Sequence, residues 1–236
     1  MIRGLSLIQN PKWFCFGMDA VLLSDFADAA EGERVIDLGT GTGILPLLLW
    51  AKTRGEHFTG LEIIPEMADM ARRSVAGNHL EEKIDIVEGD IREAAQLFGR
   101  ASFQAVTCNP PYIKAGTGLV SKDPRSAAAR HEVLVTMEDV AKTAAALLVP
   151  GGRFYLVHRP RRLAEILRLL GDAGLTPKRL AMVHPYAGEA ANMFLLEAVL
   201  GGGEGLSVEA PIIVYDAPGR YTADVLARYG LDAGKE

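Results

Sequence analysis

Three glycines at alternate positions, directly after a short apolar run, constrain the fold of this chain more than any other feature. Residues 35–43 spell Val-Ile-Asp-Leu-Gly-Thr-Gly-Thr-Gly, and an apolar segment with the composition of a helix follows at 44–52. Glycine takes positive φ angles and lacks a Cβ, so alternate glycines let the chain turn tightly and approach a ligand closely. The pattern predicts a strand, a nucleotide-binding loop and a helix, in that order.

The register of these glycines disfavours two other classes of glycine loop. A dinucleotide fingerprint, G-x-G-x-x-G, would need its third glycine at position 44, which is Ile44. A phosphate-binding P-loop would need a Gly-Lys-Ser/Thr sequence after the loop, and none follows. A nicotinamide oxidoreductase is therefore disfavoured.

A second motif follows another apolar run, at residues 103–108, which has the pattern of a buried strand. The next four residues are Asn109, Pro110, Pro111 and Tyr112. Proline fixes φ and has no N–H, so the chain turns sharply while its carbonyls remain acceptors. An amide, a carbonyl and an aromatic ring can together accept both hydrogens of a planar –NH2 group and stack on its ring. The tetrad predicts a site for adenine, cytosine or a glutamine amide, although a turn with a buried tyrosine is the simpler alternative.

With Asp37 before its glycines, the loop resembles the first motif of class I methyltransferases that use S-adenosyl-L-methionine. The resemblance implies that Glu62, after the second strand, holds the ribose hydroxyls of the cofactor through charge-assisted hydrogen bonds. It implies that Asp90, after the third strand, lies near the adenine amine. Ile63 and Ile91, each directly after its carboxylate, would form apolar walls for the adenine ring.

The same resemblance implies an α/β fold, a Rossmann-like, seven-stranded, mostly parallel sheet with a terminal antiparallel strand and helices on both faces. Alternating apolar runs and helical segments support βα units. We expect strands at 35–38, 58–62, 84–88, 103–108, 153–158, 179–184 and 193–200, and helices at 65–78, 137–148 and 160–171. We expect one domain over 1–236: an N-terminal strand (5–9) and helix within 1–30 as a lid over the cofactor, a core at 31–200, and a C-terminal extension at 201–236. The extension should hold an edge strand at 211–215 and a helix at 222–229.

The N-terminal segments at 8–11 and 14–23 are similar to a motif of bacterial tRNA adenine-N6-methyltransferases that modify valine tRNA beside its anticodon. Matches continue at 130–132, 184–185, 191–192 and 211–215, so the resemblance covers nearly the whole chain. In that family a Phe-x-x-Asp element closes over the methionine end of the cofactor. The cofactor-binding residues implied are Phe16, Asp19, Asp37, Gly39, Thr40, Gly41, Gly43, Glu62, Ile63, Asp90, Ile91 and Asn109. Met18 departs from the family pattern, which has a small polar residue there.

The resemblance implies methyl transfer to the exocyclic amine of a nucleobase, first of all adenine N6 in tRNA. Asn109 and Pro110 would accept the amine hydrogens and Tyr112 would stack on the base. Glutamine-N5 methylation of proteins, DNA adenine methylation and a non-catalytic S-adenosylmethionine-binding module remain as alternatives. The roughly 30 residues before the core leave no room for the helical domain of the glutamine enzymes, and no separate DNA-recognition domain is evident.

Composition and charge limit the kinds of partner that we expect for this protein. A formal net charge of -5 argues against a protein that coats nucleic acid indiscriminately. Two basic clusters are candidates for contact with substrate phosphates. The first consists of Lys114, Lys122, Arg125 and Arg130. The second contains Arg161 and Arg162 as the candidates, together with His158 and Arg159. The two cysteines exclude a disulfide framework and a four-cysteine zinc site, and we expect no metal. The absence of a long apolar stretch or signal peptide leads us to expect a cytoplasmic protein with no membrane partner.

Overall fold

The computed structural model describes residues 4–10, 17–110 and 135–231. The strands in these residues are β1 (Arg34–Leu38), β2 (His57–Glu62), β3 (Ile84–Glu88), β4 (Phe103–Cys108), β5 (Leu148–His158), β6 (Leu175–Tyr186), β7 (Met193–Leu200), β8 (Ser207–Val208), β9 (Ile212–Ala217) and β10 (Arg220–Tyr221). The α-helices are α1 (Met18–Phe26), α2 (Ile44–Lys52), α3 (Pro65–Gly77), α4 (Ala94–Phe98), α5 (Met137–Leu147), α6 (Leu163–Asp172) and α7 (Ala223–Arg228).

All the described strands form one sheet, in the order β10-β9-β6-β7-β5-β4-β1-β2-β3, with β8 paired to β6 outside this path. Strands β1 to β5 are parallel to one another, and β7 is antiparallel to both β5 and β6. β6 therefore runs in the same direction as β5, and β9 is parallel to β6. The carboxyl ends of β1 to β6 and β9 consequently share one edge of the sheet, called here the carboxyl edge.

Helices cover both faces of this sheet. One apolar cluster joins α1, α2, part of α3 and α7 to one face, while a second joins α4, α5 and α6 to the other. The predicted Rossmann-like methyltransferase fold is confirmed. Besides the seven core strands it contains the edge strand predicted at 211–215, observed as β9, and two short strands that were not predicted, β8 and β10.

Local sequence explains where two of the helices begin. Pro65 occupies the first turn of α3, where its missing N–H is harmless. Thr136 caps α5 in a capping box: its hydroxyl accepts the Asp139 N–H at 3.2 Å, and the Asp139 carboxylate accepts the Thr136 N–H at 2.9 Å. Apolar residues at helical spacing are buried on one face of each of these helices: Met67, Ala71, Val75, Val140, Ala144 and Leu147.

The strand predicted at residues 5–9 is wrong. Residues 5–10 have no strand assignment and run along α3 instead. The Ser6 N–H donates to Asn78 Oδ1 at 2.8 Å, and Asn78 Nδ2 donates back to the Ser6 carbonyl at 2.7 Å. The Ile8 N–H donates to Ser74 Oγ at 2.9 Å. Side chains of a helix thus provide the hydrogen bonds that a neighbouring strand would have supplied.

Three boundaries also differ from the sequence predictions. A 3₁₀ turn at Pro160–Arg162 precedes α6, so this helix starts later than expected. The Pro-Gly-Gly at 150–152 does not terminate α5 but lies inside β5, where the register against β4 shifts. β6 is twice the length predicted, because its first residues pair with β7 and its last residues pair with β9. In the extension, α7 has the expected threonine cap, with Thr222 Oγ1 accepting the Val225 N–H.

Gly60 in β2 allows the glycine loop to lie against the sheet. A Cβ at this position would lie 2.7 Å from Thr40 Cγ2 and 2.9 Å from Ile86 Cδ1. The Ile86 methyl can rotate away, but Thr40 is branched at Cβ and has few rotamers. Gly60 therefore sets how closely β2 approaches the loop.

We expect Gly60→Ala to lower the free energy of unfolding by about 1–3 kcal/mol, because the added methyl overpacks the contact with Thr40. Gly171→Ala is the matched control, because Gly171 is an exposed residue of α6 and a Cβ there would meet no atom within 4 Å. This substitution should leave the free energy of unfolding unchanged or raise it by up to about 1 kcal/mol. Urea unfolding of both variants measures the difference. Equal stability of the two variants would contradict this account of Gly60.

Candidate functional site

The carboxyl edge brings the two sequence motifs together. In the sheet register Leu38 lies opposite Leu61 of β2 on one side and Cys108 of β4 on the other. Gly39 and Asn109 directly follow this last pair of β1 and β4, two strands that lie about 4.8 Å apart. The glycine loop and the start of the Asn-Pro-Pro-Tyr turn are neighbours.

The glycine loop is held by its own backbone N–H groups. Gly39, Gly41 and Gly43 have φ angles of +73°, +59° and +82°, which other residues adopt only with strain. The N–H groups of Gly39 and Thr40 both donate to the Leu61 carbonyl, at 2.9 and 3.0 Å. The Gly41 N–H donates to Glu62 Oε2 at 2.8 Å. These three N–H groups bond to β2, so the loop does not present them to a phosphate as a P-loop does.

The Asp37 carboxylate is buried beneath the loop and only half satisfied. Its Oδ1 accepts the Thr107 hydroxyl at 2.7 Å, whereas Oδ2 has no hydrogen-bond partner in the described part of the chain. Burial raises the pKa of Asp37 to about 7, the hydroxyls of Thr107 and then Thr40 oppose that rise, and the Glu62 charge adds to it. A buried carboxylate oxygen with a vacant acceptor position suits a cationic or hydrogen-donating ligand.

The Glu62 carboxylate at the end of β2 is also buried, and each of its oxygens accepts a backbone N–H. Besides the bond from Gly41, Oε1 accepts the Ile64 N–H at 2.9 Å. Burial raises the pKa of Glu62, while the backbone hydrogen bonds oppose that rise. A carboxylate has about four lone-pair positions, so both oxygens can still accept ligand hydroxyls.

Asp90 is engaged by a residue that the sequence did not single out. The Arg92 guanidinium donates from Nε to Oδ1 at 3.0 Å and from Nη2 to Oδ2 at 2.5 Å, and the Arg92 N–H also donates to Oδ1 at 2.8 Å. These bonds hold the pKa of Asp90 below its usual range. Ile91 lies beside the glycine loop, with Cδ1 3.8 Å from where a Gly39 Cβ would be, and Ile63 is half-buried.

The N-terminal element is described only in part. Asp19 is buried in the first turn of α1 and its Oδ1 accepts the Ala20 N–H at 2.9 Å, while the helix N-cap is Gly17. Pro110 is half-buried directly after Asn109. The remaining predicted residues of the lid, the turn and the first basic cluster lie outside the described residues: Phe16, Pro111, Tyr112, Lys114, Lys122, Arg125 and Arg130.

The second basic cluster is less cationic than predicted. His158 is fully buried, and burial followed by the nearby Arg162 charge lowers its pKa to about 4, so it is neutral at pH 7. Arg162 donates from Nε and Nη2 to Glu165 at 3.1 Å each, with its side chain largely buried. Arg159 donates to the Asn192 carbonyl at 3.0 Å. Arg161 is the exposed arginine of this cluster.

Comparisons with known proteins decide the family. Residues 17–170 match the family model described as methyltransferase small domain, more than half of the chain. The chain belongs to the methyltransferase small domain family. Its relatives include the tRNA1(Val) (adenine(37)-N6)-methyltransferases of Aeromonas salmonicida and Porphyromonas gingivalis. The first is 32% identical over 87% of this chain and 84% of that protein, and the second is 32% identical over 71% and 67%.

Solved structures agree on the fold of this methyltransferase. A predicted O-methyltransferase from Agrobacterium tumefaciens superposes with a TM-score of 0.71 at 28% identity, covering 90% of this chain and 95% of that one. Geranyl diphosphate C-methyltransferase from Streptomyces coelicolor shares the fold alone, with a TM-score of 0.58 at 14% identity over 77% of this chain and 78% of that one.

The sequence resemblance implies S-adenosyl-L-methionine as the methyl donor, and membership of a methyltransferase family agrees with it. The residues present fit it, because the half-satisfied Asp37 carboxylate is suited to a cationic cofactor. No helix among the described residues has the length and hydropathy needed to cross a membrane. The same residues contain no cluster of three or more His, Cys, Asp or Glu side chains arranged to hold a metal ion.

Three residues of the methyltransferase site escaped sequence reasoning. Thr107 binds Asp37 because β4 lies beside β1, with Asp37 opposite Thr107 in the register. The family's sheet order would have revealed this pair. The pairing of Arg92 with Asp90 has a local sequence signal, since the arginine follows the carboxylate by two residues. Nothing in the sequence marks His158 as buried. Cys108 is also buried, its thiol donates to the Leu38 carbonyl at 3.3 Å, and burial raises the pKa of the thiol.

We expect Asp37→Asn to stabilise the ligand-free methyltransferase and to abolish cofactor binding. Its folded pKa of about 7 exceeds the ordinary 3.8, so the folded state binds the proton more tightly and ionisation destabilises it as pH rises from 3.8 to 7. The variant, which cannot ionise, should gain up to about 4 kcal/mol near pH 8 and about 1 kcal/mol near pH 4.5. Urea unfolding at both pH values measures the gain. A gain that is equal at both would show that Asp37 is not held in its neutral form.

Proposed function

We propose that this methyltransferase transfers the methyl group of S-adenosyl-L-methionine to N6 of an adenine in tRNA. The observation that supports the proposal is the register of β1 and β4, in which Leu38 lies opposite Cys108, so that the glycine loop and Asn109 follow neighbouring strand ends at the carboxyl edge. An amine held by Asn109 would therefore lie beside the donor. The relatives named tRNA1(Val) (adenine(37)-N6)-methyltransferase support the acceptor.

The donor side of the site is assigned to residues of β1, β2 and β3. Asp37 Oδ2 would bind the positively charged methionine end, since it lacks another partner in the described residues. Glu62 would accept the ribose hydroxyls, and Ile63 and Ile91 would hold the adenine ring between apolar walls. Asp90 would meet the adenine amine at the rim of this pocket. Gly39, Thr40, Gly41 and Gly43 would shape the loop beneath the cofactor, while Phe16 and Asp19 would close over it.

The acceptor side is assigned to the turn after β4. When bound, the donor supplies an electrophilic methyl carbon on a sulfonium, so the protein needs no strong base. The Asn109 side-chain oxygen and the Pro110 carbonyl would each accept one N–H of the amine, which draws its lone pair out of conjugation with the ring and aims it at the methyl carbon. Pro111 would fix the turn and Tyr112 would stack on the base.

A base must leave its stack before its amine can reach such a turn. Single-stranded loops of tRNA meet this need at low cost because their bases are not paired. Arg161, with Lys114, Lys122, Arg125 and Arg130, would contact RNA phosphates. Arg162 is a weaker candidate because Glu165 already holds its guanidinium. A tRNA substrate would place the enzyme in the cytoplasm.

The geometry favours an amine over a hydroxyl acceptor. A planar –NH2 group has two hydrogens, which match the two acceptors at Asn109 and Pro110, whereas a hydroxyl has only one. The enzyme should therefore differ in its acceptor atom from a protein named an O-methyltransferase, despite the shared fold. A glutamine amide has the same two hydrogens, so experiment must separate the two amine substrates.

The test is transfer of labelled methyl from S-adenosyl-L-methionine to separate pools of tRNA, ribosomal RNA, DNA and protein. We expect label in tRNA, recovered as N6-methyladenosine after nuclease digestion. Label in glutamine of the protein pool, or in DNA alone, would contradict the assignment to tRNA. Failure to bind the cofactor in calorimetry at millimolar concentration would contradict the donor site itself.

We expect Asn109→Ala to lower kcat by about 100- to 1000-fold, the size of effect seen when one oriented hydrogen-bonding group is removed from a reacting centre. Cofactor affinity should stay within about twofold, because the Asn109 side chain is assigned to the acceptor and not to the donor. A tenfold loss of affinity would require the loss of about 1.4 kcal/mol of binding free energy. Asn109→Asp is the matched control: it keeps an acceptor oxygen and should retain more activity than the alanine variant. Parallel loss of cofactor binding in both variants would show that Asn109 orients the donor instead.

A further inference from the structure

Four tyrosines form a continuous aromatic row on the C-terminal side of the sheet. Ring centroids are 5.5 Å apart for Tyr186 and Tyr215, 5.2 Å for Tyr215 and Tyr221, and 5.6 Å for Tyr221 and Tyr229. The last two pairs are stacked with 17° between ring planes, and the first is tilted by 36°. These four residues are called the tyrosine ladder. The proposed chemistry at Asn109 does not use them.

The two ends of the ladder differ in their surroundings. Tyr215, Tyr221 and Tyr229 pack against the apolar core that α1 and α2 form with the sheet. Tyr186 is not among the side chains packed on that core in the described residues, and it is half-buried. Three tyrosines thus fix the C-terminal extension to the sheet. The fourth, Tyr186, ends the row away from this core and keeps part of its surface accessible to solvent.

The register places Tyr186 on the same side of the molecule as Asn109. The register of β4 and β5 puts His158 level with Pro110. His158 lies opposite Phe194 of β7, which in turn lies opposite Met182 of β6. Tyr186 is four residues further along β6, so it projects about 13 Å beyond that level. β6 lies three strand spacings from β4, a lateral distance of about 14 Å. The separation is about 20 Å, the span of about six stacked nucleotides.

Arginines follow β5, which lies between β4 and β6 in the sheet order. Arg159 and Arg161 follow directly after β5, the strand next to β4, and Arg161 is exposed. Arg162 is neutralised by Glu165, as described above. At the ladder itself, Arg220 pairs with Asp216 at 2.7 Å, and the exposed Glu189, whose N–H donates to the Tyr186 carbonyl at 3.1 Å, adds a carboxylate beside Tyr186. A strand of RNA that crosses from Asn109 to Tyr186 would pass arginines with its phosphates and end on an aromatic ring.

We propose that Tyr186 is a stacking platform for a base of the RNA substrate several nucleotides from the adenine that is methylated. The inference rests on the proposed function in one respect, namely that the substrate is RNA held at Asn109. Stacking on aromatic rings tolerates any base. Tyr186 would therefore position the loop without reading its sequence, and would act on substrate affinity, not on the chemical step.

The test compares Tyr186→Leu, which keeps apolar volume but has no ring, with Tyr186→Phe, which keeps the ring. The probe is a hairpin RNA the length of a tRNA anticodon arm, with affinity measured by fluorescence anisotropy in the presence of S-adenosylhomocysteine. We expect Tyr186→Leu to weaken binding about tenfold and Tyr186→Phe to recover most of that loss. Thermal melting and the affinity for S-adenosylmethionine should be the same in the two variants, which a role in holding the fold would not permit.

A second arm identifies the stacked base. Hairpins with one abasic nucleotide at each loop position are measured against the native protein and Tyr186→Leu. One abasic position should weaken binding to the native protein about tenfold and should cost nothing further in Tyr186→Leu, because its partner ring is already gone. Equal binding of Tyr186→Leu and the native protein, equal losses in both variants, or no RNA binding at all would overturn the inference.

Methyl transfer is recorded separately on the same hairpins. Ring-dependent RNA binding without transfer to any adenine would leave the stacking platform in place and refute the proposed function. Transfer to adenine with an unchanged KM for the hairpin in Tyr186→Leu would support the proposed function and refute the stacking platform. With the platform correct, Tyr186→Leu raises KM for the hairpin about tenfold while kcat at saturating RNA stays the same.

Discussion

The hydrogen bonds from the glycine loop to β2 determine the character of the whole site. Gly39 and Thr40 donate to the Leu61 carbonyl and Gly41 donates to the Glu62 carboxylate. In an anion-binding loop such N–H groups point at the ligand. Here the neighbouring strand takes them, and what remains at the pocket are carboxylates. The backbone geometry thus selects a cationic donor over a phosphate-bearing one before any contact with the cofactor is made.

The Asp37 carboxylate illustrates a conflict between stability and function. Burial makes its ionised form unfavourable, and its Oδ2 has no partner in the described residues. A positively charged ligand would remove that cost and would stabilise the folded protein by mass action. The ligand-free protein therefore carries a local weakness whose relief contributes to cofactor affinity. Such a group is retained for binding, since a neutral isostere would make the fold more stable.

Local sequence signals predicted the loop, the helices and the carboxyl-edge residues, because each depends on neighbours along the chain. Contacts between strands needed the sheet order: the bond from Thr107 to Asp37 exists only because β4 lies beside β1. The strand expected at residues 5–9 shows that a local pattern can also predict the wrong element. Its apolar alternation is the same whether the backbone bonds to a strand or, as here, to Asn78 and Ser74 of α3. Periodicity reports which face is buried but not what buries it.

The short strands of the C-terminal extension have a second consequence. β6 would present an unpaired twelve-residue row of backbone donors and acceptors, which invites pairing between copies. β8 and β9 cover its outer side, and the last strand, β10, has only two residues. At the opposite rim, β3 exposes Asp85 and Glu88. Both margins of the sheet thus resist further strands, which guards a broad open sheet against fibrous self-association.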